Sequence, residues 1–400
     1  MVGEMESFSV KTVGASHIAK NTSCQDFAFS ESCDQYSLAV ISDGHGGSDY
    51  FRSDRGSAFA VKAFCECVEM AFSDEDSEGS NGNLASILAH VSKREESEVF
   101  HQLVTSIVYR WHILVDEDIK KAPFCLEEMS DVNEKTKEKY LSGEYLDRAY
   151  GATLIGIVVV PGSFWFGIHI GDGKCVAFDL NGEASEPIPW DDRCFLNTTS
   201  SICDNDAIAR ARFFFSRSIP TAVFVASDGV DDCFKRDKDL YDFYRQIICG
   251  FVSTAKNEAV SDLNEYLPRM SESGSLDDIS IAGIMNIEYL REHMVCFSKK
   301  KENCLKVIRV GNLGAEDSKD YLQRGLVFPA EIGTYSFQCI GCNGFGFGET
   351  EFKIVQSDFS GLEMIVGGEH FLLSDDSNLH TILQKRADSF DVLIFSFTRK

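Results

Sequence analysis

The sequence predicts an α+β protein built on antiparallel sheets, and three observations carry that reading. Strand-like apolar runs and helix-like periodic segments come in blocks along the 400 residues, not in strict alternation. Pro161-Gly162 and Gly171-Asp172-Gly173 separate three short runs, Thr153 to Val160, Phe164 to Ile170 and Cys175 to Leu180, as turns between strands do. Three times an apolar strand meets an Asp-Gly corner. Leu38-Ala39-Val40-Ile41 runs into Ser42-Asp43-Gly44-His45-Gly46-Gly47, Ile168-His169-Ile170 into Gly171-Asp172-Gly173, and Ala222-Val223-Phe224-Val225-Ala226 into Ser227-Asp228-Gly229.

Taken in order, residues 7–42 read as strands and turns. Gly47 to Phe72 carries Phe51, Ala58, Val61, Ala63, Phe64, Val68 and Phe72 at helical spacing. Ser73 to Asn83 is acidic and rich in Ser and Gly, an exposed loop. Phe100, Leu103, Val104, Ile107, Trp111, Leu114 and Val115 share one face of an amphipathic helix. Lys120 to Asp147 is charged and reads as irregular, and Asn181 to Ser218 as a flap or long connection. Helical patterns near Leu240–Cys249 and Glu258–Leu267 precede a last strand, Ile279 to Ile284. After Asn286 the character shifts: a basic run, Lys299-Lys300-Lys301, leads to strands at Phe352–Val355, Leu362–Val366 and Val392–Phe397 and a helix near Leu379–Arg386. We therefore expect one domain over residues 1–286 and a C-terminal α/β extension over 287–400.

Composition excludes several partners. A formal charge of -25 argues against nucleic acid or an anionic membrane surface, since both demand a basic face. The longest apolar runs, such as Leu154 to Val160, are too short to span a bilayer, and the first residues lack the basic and apolar regions of a secretory signal. The 14 cysteines follow no framework spacing, and Cys65, Cys175 and Cys249 fall in apolar stretches where a reduced thiol behaves as a small hydrophobe. A reducing, cytoplasmic home is expected. Cys339-Ile340-Gly341-Cys342 lacks the second ligand pair a zinc knuckle needs and reads as a turn with two incidental thiols.

The acidic corners carry the chemistry. Asp26, Asp43, Asp172, Asp228 and Asp277 each stand beside an apolar strand or at a tight turn. A lone Asp at a strand end is usually a turn-former. Five of them suggest carboxylates converging on one rim, and hard divalent cations such as Mg²⁺ and Mn²⁺ take oxygen ligands of that kind. Two such ions about 3.5–4 Å apart can activate a water and neutralise a phosphoryl group.

At these residues the chain resembles the metal-dependent serine/threonine protein phosphatases of type 2C. The motifs run in the family's order over roughly the first 285 residues: Cys24-Gln25-Asp26-Phe27, Asp43-Gly44-His45-Gly46-Gly47, Tyr150-Gly151-Ala152-Thr153-Leu154, Ile170-Gly171-Asp172-Gly173, Ala226-Ser227-Asp228-Gly229-Val230 and Asp277-Asp278-Ile279-Ser280. The resemblance implies a sandwich of two antiparallel sheets flanked by helices, with two and at most three Mn²⁺ or Mg²⁺ ions at one end. It implies that Asp43 bridges two ions, with the Gly44 carbonyl on one of them. Asp228 and Asp277 would hold the other, Asp26 would act through bound water, and Asp172 would serve a third site. His45 would be the general acid, a task that suits an imidazole titrating near the working pH.

Two departures stand out. Gln25 replaces the family's usual glutamate and supplies no charge, and the phosphate-gripping arginine before the first motif is missing. Lys20 offers a point charge there, and Arg52 or Arg55 could supply the guanidinium fork. Bland readings fit the rest: His101 and His112 on the amphipathic helix, His169 as structural, and Trp111, Trp165 and Trp190 as core or flap packing. The activity expected is hydrolysis of phosphoserine and phosphothreonine on proteins by a metal-activated water, without a phosphoenzyme. Phosphoproteins, and a cognate serine/threonine kinase in opposition, are the partners it implies. The alternative is a catalytically weak pseudophosphatase that binds phosphoproteins or a partner.

Overall fold

The computed structural model of the protein describes residues 5–73, 83–194 and 198–297 and, beyond these, the short strands given below. The chain divides into two compact units, Met1–Glu292 and His293–Lys400.

In the first unit the strands are β1 (Met5–Thr12), β2 (Phe27–Ser32), β3 (Ser37–Ser42), β4 (Leu154–Val160), β5 (Phe164–Ile170), β6 (Lys174–Phe178), β7 (Ala184–Ser185), β8 (Arg212–Ser216), β9 (Ala222–Ala226) and β10 (Ile279–Asn286). They form two five-stranded antiparallel sheets, ordered β1-β10-β9-β6-β7 and β2-β3-β4-β5-β8. The helices are α1 (Ala15–Lys20), α2 (Ser53–Phe72), α3 (Leu84–His90), α4 (Glu96–Lys121), α5 (Glu134–Leu141), α6 (Ala207–Arg210), α7 (Asp228–Asp231), α8 (Asp237–Ser253), α9 (Lys256–Ser273) and α10 (Ile287–Glu292).

Strand alternation sorts the core into layers. Ala39 and Ile41 of β3 pack inward with Ile155, Ile157, Val223, Val225 and Ala282, filling the space between the sheets. Leu38 and Val40 face the other way, against Phe64 and Val68 of α2 and Trp111 of α4. Both faces of β3 are thus covered, which is why its sequence is a continuous apolar run. On the other sheet Phe8 and Phe224 pack against Phe251 and Tyr244 of α8. The unit is a helix–sheet–sheet–helix sandwich.

Register brings five strand corners to one end. Phe27 pairs with Ser42, so Asp26 and Asp43 leave the second sheet side by side. Leu154 pairs with Ile170, which puts Asp172 at that same edge. In the first sheet Ala226 pairs with both Ile281 and Lys174, so Asp228 follows β9 where Asp277 precedes β10.

The structure corrects several local expectations. The segment read as irregular, Lys120 to Asp147, contains α5, whose Asn133 side chain accepts from the Thr136 N–H at 3.0 Å. The segment read as a flap, Asn181 to Ser218, contains β7, α6 and the sheet-edge strand β8. Helix α1 was not foreseen. Most of the acidic loop at Ser73–Asn83, the lysine run and the Leu379–Arg386 helix lie outside the described residues.

The second unit carries helix α11 (Met294–Phe297) and strands β11 (Cys304–Leu305), β12 (Arg309–Val310), β13 (Gly333–Gly341), β14 (Thr350–Gln356), β15 (Leu362–Val366), β16 (Glu369–Leu372) and β17 (Leu393–Arg399). The strands form one antiparallel sheet, ordered β11-β17-β13-β14-β15-β16, with β12 also on β17. Among the described residues no helix is long and apolar enough to cross a membrane, and the described cysteines are free thiols.

Candidate active site

The signature corner after β3 is splinted by the segment entering β4. The Asp43 amide donates to Thr153 Oγ1 at 3.0 Å, and the Thr153 amide returns a bond to the Asp43 carbonyl at 2.8 Å. The His45 amide donates to the Gly151 carbonyl at 3.1 Å. Gly44, between them, is buried so tightly that a Cβ would stand 2.7 Å from the carbonyl oxygens of Gln25 and Ser53. No other residue lets the backbone pass there.

Asp26 forms the floor. It is 1% exposed, and the Ser280 and Ser227 hydroxyls that act on its carboxylate stand outside hydrogen-bonding geometry. Burial pushes its carboxyl up to about 7, the charges of Asp278 and Asp228 push the same way, and the hydroxyls of Ser280 and Ser227 oppose them. Asp43 and Asp228 are half-buried above it. Desolvation drives Asp43 well above the usual carboxylate range, reinforced by the charges of Asp26 and Asp228 and by a hydrogen bond shared with Asp228. Asp228 is raised to about 6, first by burial and then by Asp172. Like charges this near one another disfavour ionising both carboxyls at once.

Asp277 is exposed at the rim, where its charge still raises Asp43 and Asp228 and its Oδ1 accepts from the Asp278 amide at 2.8 Å. Asp172 stands beside them, raised by burial while the Thr199 hydroxyl, which donates to it, pulls it back. Asp232 adds a further rim carboxylate, raised by burial and by the charges of Asp277 and Asp172. Among the described residues, no three acidic, imidazole or thiol groups stand at metal-ligand spacing, so the convergence is pairwise. The donor chemistry nonetheless fits a hard divalent cation: buried, unpartnered carboxylate oxygens on Asp26, and further carboxylates on Asp43, Asp228, Asp172 and Asp277 whose charges act on one another.

Asp278, named in the sequence only as Asp277's neighbour, is the organiser. It is 3% exposed and accepts from the Gly14 amide at 2.6 Å, from the Gln25 amide at 2.6 Å and lies 2.8 Å from His17 Nδ1. It therefore ties the stretch before Asp26 to the start of β10. Gln25 donates through Nε2 to Ser53 Oγ at 2.8 Å, while its Oε1 is buried without a partner. Half-buried His45 meets the edge of Tyr50 at 4.9 Å between ring centroids. Burial lowers its imidazole to about 4, Asp204 opposes, and Arg148 acts with burial.

Of the expected phosphate ligands, the two arginines are engaged with other carboxylates. Lys20 is exposed at the end of α1. Arg52 is 3% exposed, forked onto Glu128 at 2.9 and 2.7 Å, and stacked 4.6 Å from the Phe124 ring. Its guanidinium is a structural clamp, which corrects the expectation that it faces a phosphate. Arg55 pairs with Asp118 at 3.1 Å.

An αββα sandwich with an acidic mouth defines the class of molecule. A family model, Protein phosphatase 2C, matches residues 13–268, and the chain belongs to that family. Similar solved structures include PppA, a regulatory component of T6SS in Pseudomonas aeruginosa, 13% identical at a TM-score of 0.44, covering 71% of this chain and 98% of that one. The phosphatase Stp1 from Staphylococcus aureus is 12% identical at 0.43, covering 71% and 95%. The catalytic domain of PstP, in complex with manganese ions, is 13% identical at 0.42, covering 70% and 98%. No curated protein matches the chain significantly.

Proposed function

We propose that this member of the family hydrolyses phosphoserine and phosphothreonine on proteins, with Mn²⁺ or Mg²⁺ at the acidic mouth and without a phosphoenzyme. One observation carries the reading: strand register brings the corners of Asp26, Asp43, Asp172, Asp228 and Asp277, remote in sequence, to one end of the sandwich, where the Asp43 and Asp228 carboxyls act on each other. Asp26, Asp43, the Gly44 carbonyl, Asp228 and Asp277 would hold the ions, with Asp172 at an outer position. Such ions, when bound, lower the pKa of water and neutralise phosphoryl charge.

The chain's own groups do the rest. The Thr153 and Gly151 bonds hold Asp43 and His45 in fixed relation, so the carboxylate and the imidazole face one substrate from one corner. His45 serves as general acid toward the departing serine or threonine oxygen, and a phosphate's negative charge offsets the burial that depresses its proton affinity. Cleavage of a phosphothreonine peptide with Mn²⁺ tests the reading. Turnover that needs the metal and disappears in Asp228→Ala is expected; full activity in that variant, or none in the wild type, would reject it. A wild type that also fails to bind Mn²⁺ by calorimetry would instead favour the partner-binding alternative.

A further inference from the structure

Recognition of a phosphate dianion is served best by a guanidinium fork held near the chemistry with its N–H groups free. No arginine occurs before Arg52 in the sequence. Arg52 and Arg55 are committed to Glu128 and Asp118, and Arg212, below Asp172, gives its terminal nitrogens to the carbonyls of Pro189 and Gly171. Arg148 differs. It lies three residues before Gly151, whose amide bonds back to the Arg148 carbonyl at 3.0 Å and whose own carbonyl receives the His45 amide. Its guanidinium carbon sits 4.9 Å from the centre of the Tyr50 ring, the same ring whose centre is 4.9 Å from His45's.

The guanidinium is positioned without being consumed. Among the described residues its one acidic neighbour in salt-bridge range, Asp49, is 3.8 Å away, beyond hydrogen-bond reach. Asp49 instead accepts from Asn133 Nδ2 at 2.9 Å and Thr136 Oγ1 at 3.2 Å, one donor to each oxygen. Arg148 is 46% exposed and donates no side-chain hydrogen bond among the described residues. Asp204, the carboxylate that favours protonation of His45, accepts from Arg210 and from the Ser201 amide through its Oδ2.

Resting on the phosphatase reading, we propose that Arg148 grips the substrate's phosphate, supplying from the entry to β4 the fork that the stretch before Asp26 lacks. The test uses the full chain with Mn²⁺ and compares Arg148→Met, which keeps the stem over Tyr50, with Arg148→Lys and with Arg236→Met, a surface ion-pair control. Expected for Arg148→Met is a rise in KM for p-nitrophenyl phosphate of roughly 10- to 150-fold, the range for losing a charged hydrogen bond. The inhibition constant for inorganic phosphate should rise in parallel, while kcat, Mn²⁺ affinity and Tm hold. Lysine should restore part of the loss, and the Arg236 variant should match wild type. Unchanged KM and phosphate inhibition in Arg148→Met would overturn the assignment. If the wild type proves inactive, calorimetric binding of inorganic phosphate to the Mn²⁺-treated protein decides: binding lost in Arg148→Met supports it, and binding that is retained, or absent already in the wild type, overturns it.

Discussion

Replacing Arg52 by methionine should unfold the clamp beside α2 and leave phosphate recognition untouched. The guanidinium makes a two-bond fork to Glu128, donates at 2.7 Å to both the Ala122 carbonyl and Tyr150 Oη, and stacks on Phe124. Methionine keeps the apolar stem and removes every one of those donors. Breaking a buried ion pair by deleting one partner costs about 3–5 kcal/mol. Glu128 is 29% exposed and will recover some hydration, which favours the lower end of that range. At about 2 °C per kcal/mol, the lower end of the range for large domains, Tm should fall by roughly 6–10 °C. The assay is thermal unfolding followed by KM for p-nitrophenyl phosphate on the fraction still folded. A Tm within about 2 °C of wild type together with a large rise in KM would refute the reasoning and return Arg52 to the role its sequence position suggested.

Two further outcomes follow from the mouth and from the helix above it. Asp26 and Asp228 are raised to about 7 and about 6, above their unfolded values near 3.9, so the folded metal-free protein holds protons the unfolded chain has lost. These two groups should therefore cost the metal-free protein stability as pH rises from about 4 through about 7, against the opposing contribution of His45, whose proton affinity burial lowers. Saturating Mn²⁺ should restore about 2.7 kcal/mol at neutral pH at a hundredfold excess over Kd. Urea midpoints of the wild type and of the Asp26→Asn/Asp228→Asn variant, with and without Mn²⁺, check both, and a wild-type-minus-variant difference that rises with pH refutes the sign. Gly56→Ala in α2, a change worth up to about 1 kcal/mol of stability in an open helix, should instead destabilise, because its Cβ would stand 1.8 Å from the Tyr150 carbonyl oxygen. A urea midpoint at or above wild type would contradict that contact.

Where burial was symmetric, the sequence was easy to read. β3 and β5 are covered on both faces, so Leu38–Ile41 appears as an unbroken apolar run and Phe164–Ile170 as one interrupted only by Gly167 and His169, and α4 shows its stripe because one face meets the sheet. α5 escaped notice because Glu134–Leu141 buries only Tyr140; its helicity comes from the Asn133 cap and from charged residues of good propensity, which leave no periodic signal. β8 hid for a related reason: Phe213-Phe214-Phe215 is a short aromatic run at a half-buried sheet edge, set among polar residues that read as a flap. At the site, the aspartates were legible because strand–Asp–Gly corners are local patterns. The fate of Arg52 was not, since Glu128 lies 76 positions away and nothing in either neighbourhood announces the pair. Asp278 was overshadowed by Asp277 because adjacent carboxylates look alike in sequence, while only one of them turns inward to two backbone amides.

The pairing of β1 with β10 has a consequence for how the molecule comes into being. These strands join residues 5–12 to 279–286, and β10 also lies between β1 and β9 in the sheet. A nascent chain can build the β2–β5 hairpins early, but the last wall of the mouth waits until the segment around residue 286 has been synthesised. Assembly should consequently be slow, as in folds ruled by distant contacts, and no ribosome-bound fragment ending before β10 should complete the acidic mouth.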